Sequence, residues 1–476
     1  MSPSTENRLL AFAAYGAILA VVIWGALSFG AVYPWAYRIL AGASAVVGLA
    51  GILLGRKNRP PVALFTVTLM LLAAAIAVQL VPLPRETLET ISPATINFLM
   101  RYDFSYVAGG SSHPISIAPA KTQLGLLLFG VFATLLIGVT KTVSRFGAQR
   151  LAIGLITFGA LLAVFGIVQE VANLSSHYVL VYGFWKPQFL GSRPFGPFIN
   201  RNHFAGWMLM GLPLALGYVY ASVEKIWQLG PSGVSNRISV LATGLGGRLL
   251  LLIFACATMF MSALMTRSRS GIAAVGVAAL LAGAMVILKQ TTTRRKLTTA
   301  TLFFVVVAAT TAWAGGETIL GRAVGENANT GTVGGRIPIW LDTLAIIRDF
   351  SLLGAGLDTY GTATMVYQTS MKELHFQEAH NDYLQLAAEG GVLLGLPILL
   401  TLVVFARDVR RRFKEAPKEG MTYWLRVGAM IGIVSIAAQA LVEFSLQMPG
   451  NAAMFAVLAA IALHRSPNLR DRPASS

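Results

Sequence analysis

Cysteine is almost absent. Cys256 is the only one in 476 residues, so no disulfide framework can staple the chain. Charge is scarce as well, at 12% of residues against about 25% in soluble domains. That deficit points to lipid as the solvent for much of the surface. Acidic residues are the scarcest class, 20 against 37 basic, and they are scattered. There is no DxD, no HExxH and no cysteine pair with ligand spacing, so neither a metal nor another cofactor is expected. A P-loop is missing too, which argues against ATP as the energy source. No internal repeat divides the chain into related halves.

What is abundant is apolar: 55% of the chain, in runs of about 17–22 residues, each long enough to cross about 30 Å of hydrocarbon as a helix. A closed β-barrel would show short alternating segments instead. The expected fold is therefore all-α and polytopic, a single integral membrane domain over 1–476. About twelve transmembrane helices are expected near 9–29, 36–55, 62–82, 122–140, 151–171, 203–222, 248–266, 271–288, 297–314, 383–406, 427–443 and 448–464. Residues 1–8 are short and polar, and no A-x-A pattern follows the first span, so it is expected to be retained.

The net charge of +17 would suit nucleic acid only if it were clustered on a soluble face. It lies instead in short caps between apolar runs. On this alternation 24 of the 37 basic residues fall on one side, which the positive-inside rule makes cytoplasmic, with both termini there. The longer connections, about 83–121, 172–202 and 315–382, fall on the other side. The last is too long for a plain connector. Ile337, Trp340, Leu341, Leu344 and Ile347 repeat in it at helical spacing, predicting an amphipathic helix over Arg336–Phe350. A second helix is expected over Asp358–Met371, and together they read as a helical lid between spans nine and ten.

Three clusters on that outer side carry the chemistry. The first is Arg193-Pro194-Phe195-Gly196-Pro197-Phe198-Ile199-Asn200-Arg201-Asn202-His203, leading into the sixth span. Arg201, Asn200, Asn202 and His203 present donors at a helix N-terminus, which favours anions; the plainer reading is an interfacial cap with a snorkelling arginine. The second is Thr266-Arg267-Ser268-Arg269-Ser270-Gly271, a tight turn between spans. Arg267 and Arg269 run against the positive-inside trend, and their planar forks suit a diphosphate; the plainer reading is a pair of headgroup-binding arginines. The third is Glu378-Ala379-His380-Asn381-Asp382, where His380 is the natural base near neutral pH, with Glu378 or Asp382 to orient it. Asn381 or Asp382 as a helix N-cap is the plainer reading there. His375 and His203 are rival bases. Gly334-Gly335-Arg336 adds a further anion-binding candidate.

At these clusters the sequence resembles the O-antigen ligase and O-antigen polymerase family of bacterial envelope glycosyltransferases. The matching elements are FINRNHFAGW, TRSRSG, and GGRIPIWLDTLAIIRDFSLLGAGLDTYG with HNDYLQLAAEGGVLLGLPILL. The core match covers about 190–405. The resemblance implies a GT-C-like membrane enzyme of the bacterial inner membrane with its site facing the periplasm. Such an enzyme takes a glycan from an undecaprenyl-diphosphate-linked donor and passes it, with inversion and without a metal, to a glycan, lipid or protein acceptor. Carried over, Arg269 and Arg201 hold the donor diphosphate, Arg336 is a further contact, and His380 takes the acceptor proton. The acceptor could make the chain a polysaccharide polymerase, an O-antigen ligase or an O-linked protein oligosaccharyltransferase. From another class, a twelve-span chain could be a transporter, but repeated halves and a midplane acidic residue are missing.

Overall fold

The computed structural model describes residues 3–55, 63–173, 180–186, 193–229, 244–289, 333–415, 417 and 419–465, with scattered positions between 293 and 312. The long helices are α1 (Pro3–Leu27), α2 (Pro34–Leu54), α3 (Ala63–Val78), α7 (Pro119–Phe146), α8 (Gln149–Ala172), α9 (Arg201–Leu229), α10 (Gly244–Met265), α11 (Arg269–Lys289), α14 (Asp382–Glu415), α15 (Met421–Gln439) and α16 (Pro449–Leu463). Shorter helices α4 (Arg85–Ile91), α5 (Pro93–Tyr102), α6 (Phe104–Val107), α12 (Val333–Asp349) and α13 (Tyr360–Tyr367) complete the set. Among the described residues nine helices are long and apolar enough to cross a membrane, and α3 and α16 are shorter apolar helices. The protein is an all-α polytopic membrane protein. Of the twelve expected spans, the ninth, 297–314, lies outside the described residues apart from scattered positions, as do the first residues of the expected lid.

Proline at the first turn starts α2, α5, α7 and α16, where its missing N–H costs nothing. The α16 helix can be short because it is buried along nearly its whole length, wrapped by α1, α7, α9 and α15. A helix apolar all round belongs in such a place. Small residues let the helices approach closely. Gly48 and Gly51 of α2 lie against Gly138 of α7, and Gly217 of α9 lies against Trp424 of α15, with no room for a Cβ at any of them.

Both described chain ends lie at one end of the bundle, and there two arginines hold the last turn of α16. Arg426 is 1% exposed. Its guanidinium donates to Ala462 O (3.0 Å), His464 O (2.9 Å) and Arg412 O (3.0 Å). Arg412 donates to Leu463 O at 3.0 Å. A helix C-terminus leaves carbonyls without partners, and cations there are favourable.

The opposite end carries the lid, and it has two parts. Residues 83–118 fold over the bundle as α4–α6, closed by a two-residue antiparallel pairing of Leu83–Pro84 with Ser112–His113. They share a core with α12 and α13, in which Ile117 and Phe98 pack with Ile346, Phe350 and Tyr360. Sequence alone had marked 83–121 only as a connection. The amphipathic helix expected over Arg336–Phe350 forms as α12, but its faces are reversed. Ile339, Ile346 and Phe350 are buried, whereas Ile337, Leu341 and Leu344 are exposed. The helix packs through a mixed face that includes Arg336 and Thr343, leaving its regular apolar stripe outward.

The lid is stitched into a break in α14. At Gly391 the backbone turns to φ 53°, ψ −154°, a conformation glycine takes without the penalty other residues meet. The freed amides of Val392 and Leu393 donate to Ser351 O (3.0 Å) and Leu352 O (2.9 Å), while Ala388 O and Glu389 O accept from Ala355 N and Gly356 N, both at 3.0 Å. The Glu389 carboxylate accepts from Asp358 N (2.9 Å) and Tyr360 N (3.0 Å), capping α13. Gln79, at the end of α3, donates to Leu353 O and Glu389 O, both at 2.8 Å. Four polar backbone groups at the break, Val392 N, Leu393 N, Ala388 O and Glu389 O, thus find partners in the lid.

Replacing Arg426 with Met should strip donors from three buried carbonyls, at about 1–3 kcal/mol each. A lower unfolding temperature in detergent is expected, while Met at the exposed Arg410 leaves it unchanged. Equal melting of the two variants would remove the capping role.

Candidate functional site

Helices α9, α11, α14 and α16 begin at the lid end around one loop, and side chains cap three of them. Asn200 Oδ1 accepts from Asn202 N at 2.9 Å, and Ser268 Oγ from Gly271 N at 3.1 Å. Asn381 Oδ1 accepts from Tyr383 N and Leu384 N, both at 3.0 Å. Asn200 is therefore a cap, and at the third cluster the capping residue is Asn381, with Asp382 in the first turn. The three sequence clusters are thus three helix starts, and the loop between α15 and α16 threads among them. Asp382 N donates to Ala440 O at 3.0 Å, and Gln439 Nε2 and Ser445 Oγ donate to Asn202 O at 3.2 and 3.3 Å.

That loop carries Glu443, whose side chain is 1% exposed. Its Oε1 accepts from Arg336 Nη2, from Asn202 Nδ2 at 2.6 Å and from Ser270 Oγ at 3.5 Å. Its Oε2 lies 3.7 Å from His380 Nδ1, and among the described residues neither of these last two atoms has a hydrogen-bond partner. One carboxylate therefore gathers residues from all three clusters and from α12. Burial pushes the Glu443 carboxyl up, but His380, Arg336 and His203 outweigh burial and hold it below its ordinary value. The carboxylate stays charged in the interior because its cations are fixed around it.

His380 sits at φ 51°, a left-handed pose that few non-glycine residues adopt and that is held only where the surroundings dictate it. Here both sides of the preceding residue are fixed. Ala379 N donates to Gln385 Oε1 at 2.9 Å, and Ala379 O accepts from Trp340 Nε1 at 3.1 Å. The imidazole packs edge-on against Phe444, with centroids 4.8 Å apart. His203 packs on the same ring at the same separation, but it is 6% exposed, whereas the His380 side chain is 22% exposed. His375 is exposed on the lid, with no polar partner among the described residues.

The acids expected beside His380 lie elsewhere. Asp382 Oδ1 accepts from Gln447 Nε2 at 2.6 Å, and Glu378 Oε2 accepts from Gln385 Nε2 at 2.7 Å. Burial pushes the Glu378 carboxyl up to about 8, which favours its neutral form. The carboxylate at the imidazole is Glu443, which the expected span 427–443 had absorbed. The structure ends α15 at Gln439. The available signal was Pro449, which starts a helix and leaves Glu443 in the connection before it, an acid in an acid-poor chain.

Among the arginines, Arg336 is 4% exposed and is spent on the Glu443 carboxylate and the Val442 carbonyl, so its place is as a brace and not as an open anion ligand. Arg269 is half-buried beside Ser270, and its guanidinium has no polar partner among the described residues. Arg201 is also half-buried, next to Asn202, and Arg267 is exposed, at φ 51°. Arg201, Arg267 and Arg269 thus collect with His380 where the positive ends of α9, α11 and α14 converge, an arrangement that favours an anion.

No curated protein matches the chain. Residues 254–399 match the family model described as O-antigen ligase, a stretch that holds Arg267, Arg269, Arg336 and His380 and stops short of Glu443. Over that stretch the chain is similar to the O-antigen ligase family.

Proposed function

We propose that the protein transfers a glycan from undecaprenyl diphosphate to an acceptor hydroxyl on the periplasmic face, as a polysaccharide polymerase or O-antigen ligase. The O-antigen ligase match over residues 254–399 supports glycosyl transfer in general. The observation that carries the finer reading is the His380–Glu443 pair set among Arg201, Arg267 and Arg269. The distribution of basic residues supports the side: they crowd the end of the bundle away from the lid, where Arg426 and Arg412 find buried carbonyl partners.

In this reading the acceptor O–H gives its proton to His380 while its oxygen attacks the anomeric carbon. The bond from that carbon to the diphosphate breaks with inversion, and the lipid diphosphate leaves with the electron pair. Glu443 steadies the imidazolium that forms and, in the resting state, favours the tautomer with the proton on Nδ1, leaving Nε2 as the base. The 3.7 Å separation is of the kind that tightens once substrate is bound. Arg269 and Arg201 neutralise the departing diphosphate, which is the task a divalent ion performs elsewhere. Arg336 keeps Glu443 charged and in place, acting through it on His380.

Replacing His380 with Ala should lower transfer by about 10²–10⁴-fold while donor binding persists; transfer near the normal rate would remove it as the base. Arg269→Ala should raise the donor KM at least tenfold, and Arg269→Lys should fail to restore it, because a point charge lacks the paired fork. Full rescue by Lys would reduce the residue to a generic charge. Transfer by the purified protein should survive EDTA; a loss that added Mg²⁺ restores would overturn the metal-free reading.

A further inference from the structure

At the same end of the bundle, on the flank opposite Arg269, lies a cavity of about 810 Å³ with no role in this chemistry. Ligand pockets run from about 300 to 1,000 Å³. Its walls come from the end of α1, the turn into α2 and the 180–186 segment, and they are built from rings: Trp24, Phe29, Tyr33, Trp35, Tyr182 and Trp185, with Phe184 at the mouth. No charged residue lines it, so it offers nothing to a diphosphate.

The rings are fixed in place. Phe29 is the hub, with centroids 5.3 Å from Trp185, 5.5 Å from Tyr33, 5.6 Å from Tyr182 and 6.5 Å from Trp35. Trp24 Nε1 donates to Ala36 O at 3.0 Å, and the Tyr182 hydroxyl donates to Leu27 O. Phe29, Gly30 and Ala31 are three consecutive left-handed residues, and Tyr182 is another. Left-handed non-glycine backbone costs about 1–3 kcal/mol per residue and persists where the surroundings impose it, often at binding sites. Interfacial belt aromatics need none of this, since they project singly toward headgroups.

The cup is continuous with the site. Gly30 packs on the ring of Phe198, in the turn that delivers Asn200, Arg201 and Asn202, and Gly25 and Gly30 pack on Gly450, at the start of α16 just after the Glu443 loop. Its flank is α1 and α2, whereas Arg269 heads α11, which packs on α9 and α15. A chain lying in the cup would reach His380 from the side away from the diphosphate.

We infer that the aromatic cup binds the acceptor glycan, stacking the C–H faces of its sugar rings on Trp35, Tyr33 and Trp185 and presenting its end to His380. This rests on the glycosyl-transfer reading above. Sugars have apolar faces and polar edges, which suits rings held rigid at an aqueous boundary. The competing occupant is a lipid chain.

The test uses the full chain in nanodiscs, with lipid-free oligosaccharides cleaved from the host's own envelope polysaccharide as the probe and no donor present. Calorimetric titration should show binding that weakens at least fivefold in Trp35→Ala/Trp185→Ala, survives in Trp35→Phe/Trp185→Phe, and is untouched by Arg269→Ala. With donor added, the alanine variant should raise the acceptor KM and spare kcat. Equal affinity in wild type and the alanine variant would overturn the proposal. So would quenching of Trp35 and Trp185 fluorescence by brominated phosphatidylcholine that the oligosaccharide does not relieve. Aromatic-dependent binding without transfer would count against the reaction, not the cup; transfer without such binding would count against the cup alone.

Discussion

The constraint on which the lid end depends is the buried charge of Glu443. A carboxylate removed from water costs several kcal/mol unless it is paired and hydrogen-bonded, and breaking such a pair is far more damaging than never having built it. Glu443 has four separate reasons to stay put: Arg336 from α12, Asn202 from α9, Ser270 from α11 and His380 from the lid's last turn. Each comes from a different part of the chain. The carboxylate cannot be satisfied unless the lid is seated and α9, α11 and α14 start at one level, so the geometry of His380 is a consequence of neutralising one acid.

The broken α14 supplies the complementary constraint. Its first two turns carry Asp382, Gln385 and Glu389, all buried, and the break at Gly391 opens polar backbone that the turn 351–356 closes. Gly354, itself left-handed at φ 72°, passes so close to the Glu389 carbonyl that no Cβ fits. The two glycines are thus a matched pair: one bends the helix and the other lets the lid fill the bend. Because α14 starts two residues after His380, a lid that slipped here would carry the imidazole away from Glu443.

The fold class and most spans were legible in the sequence, since uninterrupted apolar length leaves few alternatives. The three clusters were legible for a similar reason: arginines such as Arg269 are conspicuous in the short turns opposite those in which the chain concentrates its basic residues. What was hidden depended on partners distant in sequence. Glu443 read as the end of a span because hydropathy averages over one acid, and only the packing of Asn202 and Arg336, 241 and 107 residues away, shows what it is for. The outward stripe of α12 misled for a related reason. Periodicity reports that a helix has an apolar face, not whether that face meets protein or lipid, and here Ile337, Leu341 and Leu344 point away from the lid core. The segment 83–118 is too short and mixed to reveal that Ile117 and Phe98 complete a core begun by residues more than 200 positions later.

Arginine serves opposite purposes at the two ends of the bundle, and the contrast bears on what the lid end needs. At the terminus end Arg426 and Arg412 meet the C-terminal carbonyls of α16 and the carbonyl of Arg412, where helix dipoles are negative and protein atoms satisfy the charge. At the lid end the dipoles of α9, α11, α14 and α16 are positive, and Arg201, Arg267, Arg269 and Arg336 add to them. Arg336 is spent on Glu443. The half-buried Arg269 has no protein partner among the described residues, so positive potential remains uncompensated beside a partly exposed imidazole. The contrast therefore rests on Arg269: the terminus end spends its buried guanidiniums on helix carbonyls, whereas Arg269 keeps its charge beside the His380–Glu443 pair, and under the proposed reaction such a field stabilises an anionic leaving group more as its bond breaks than before.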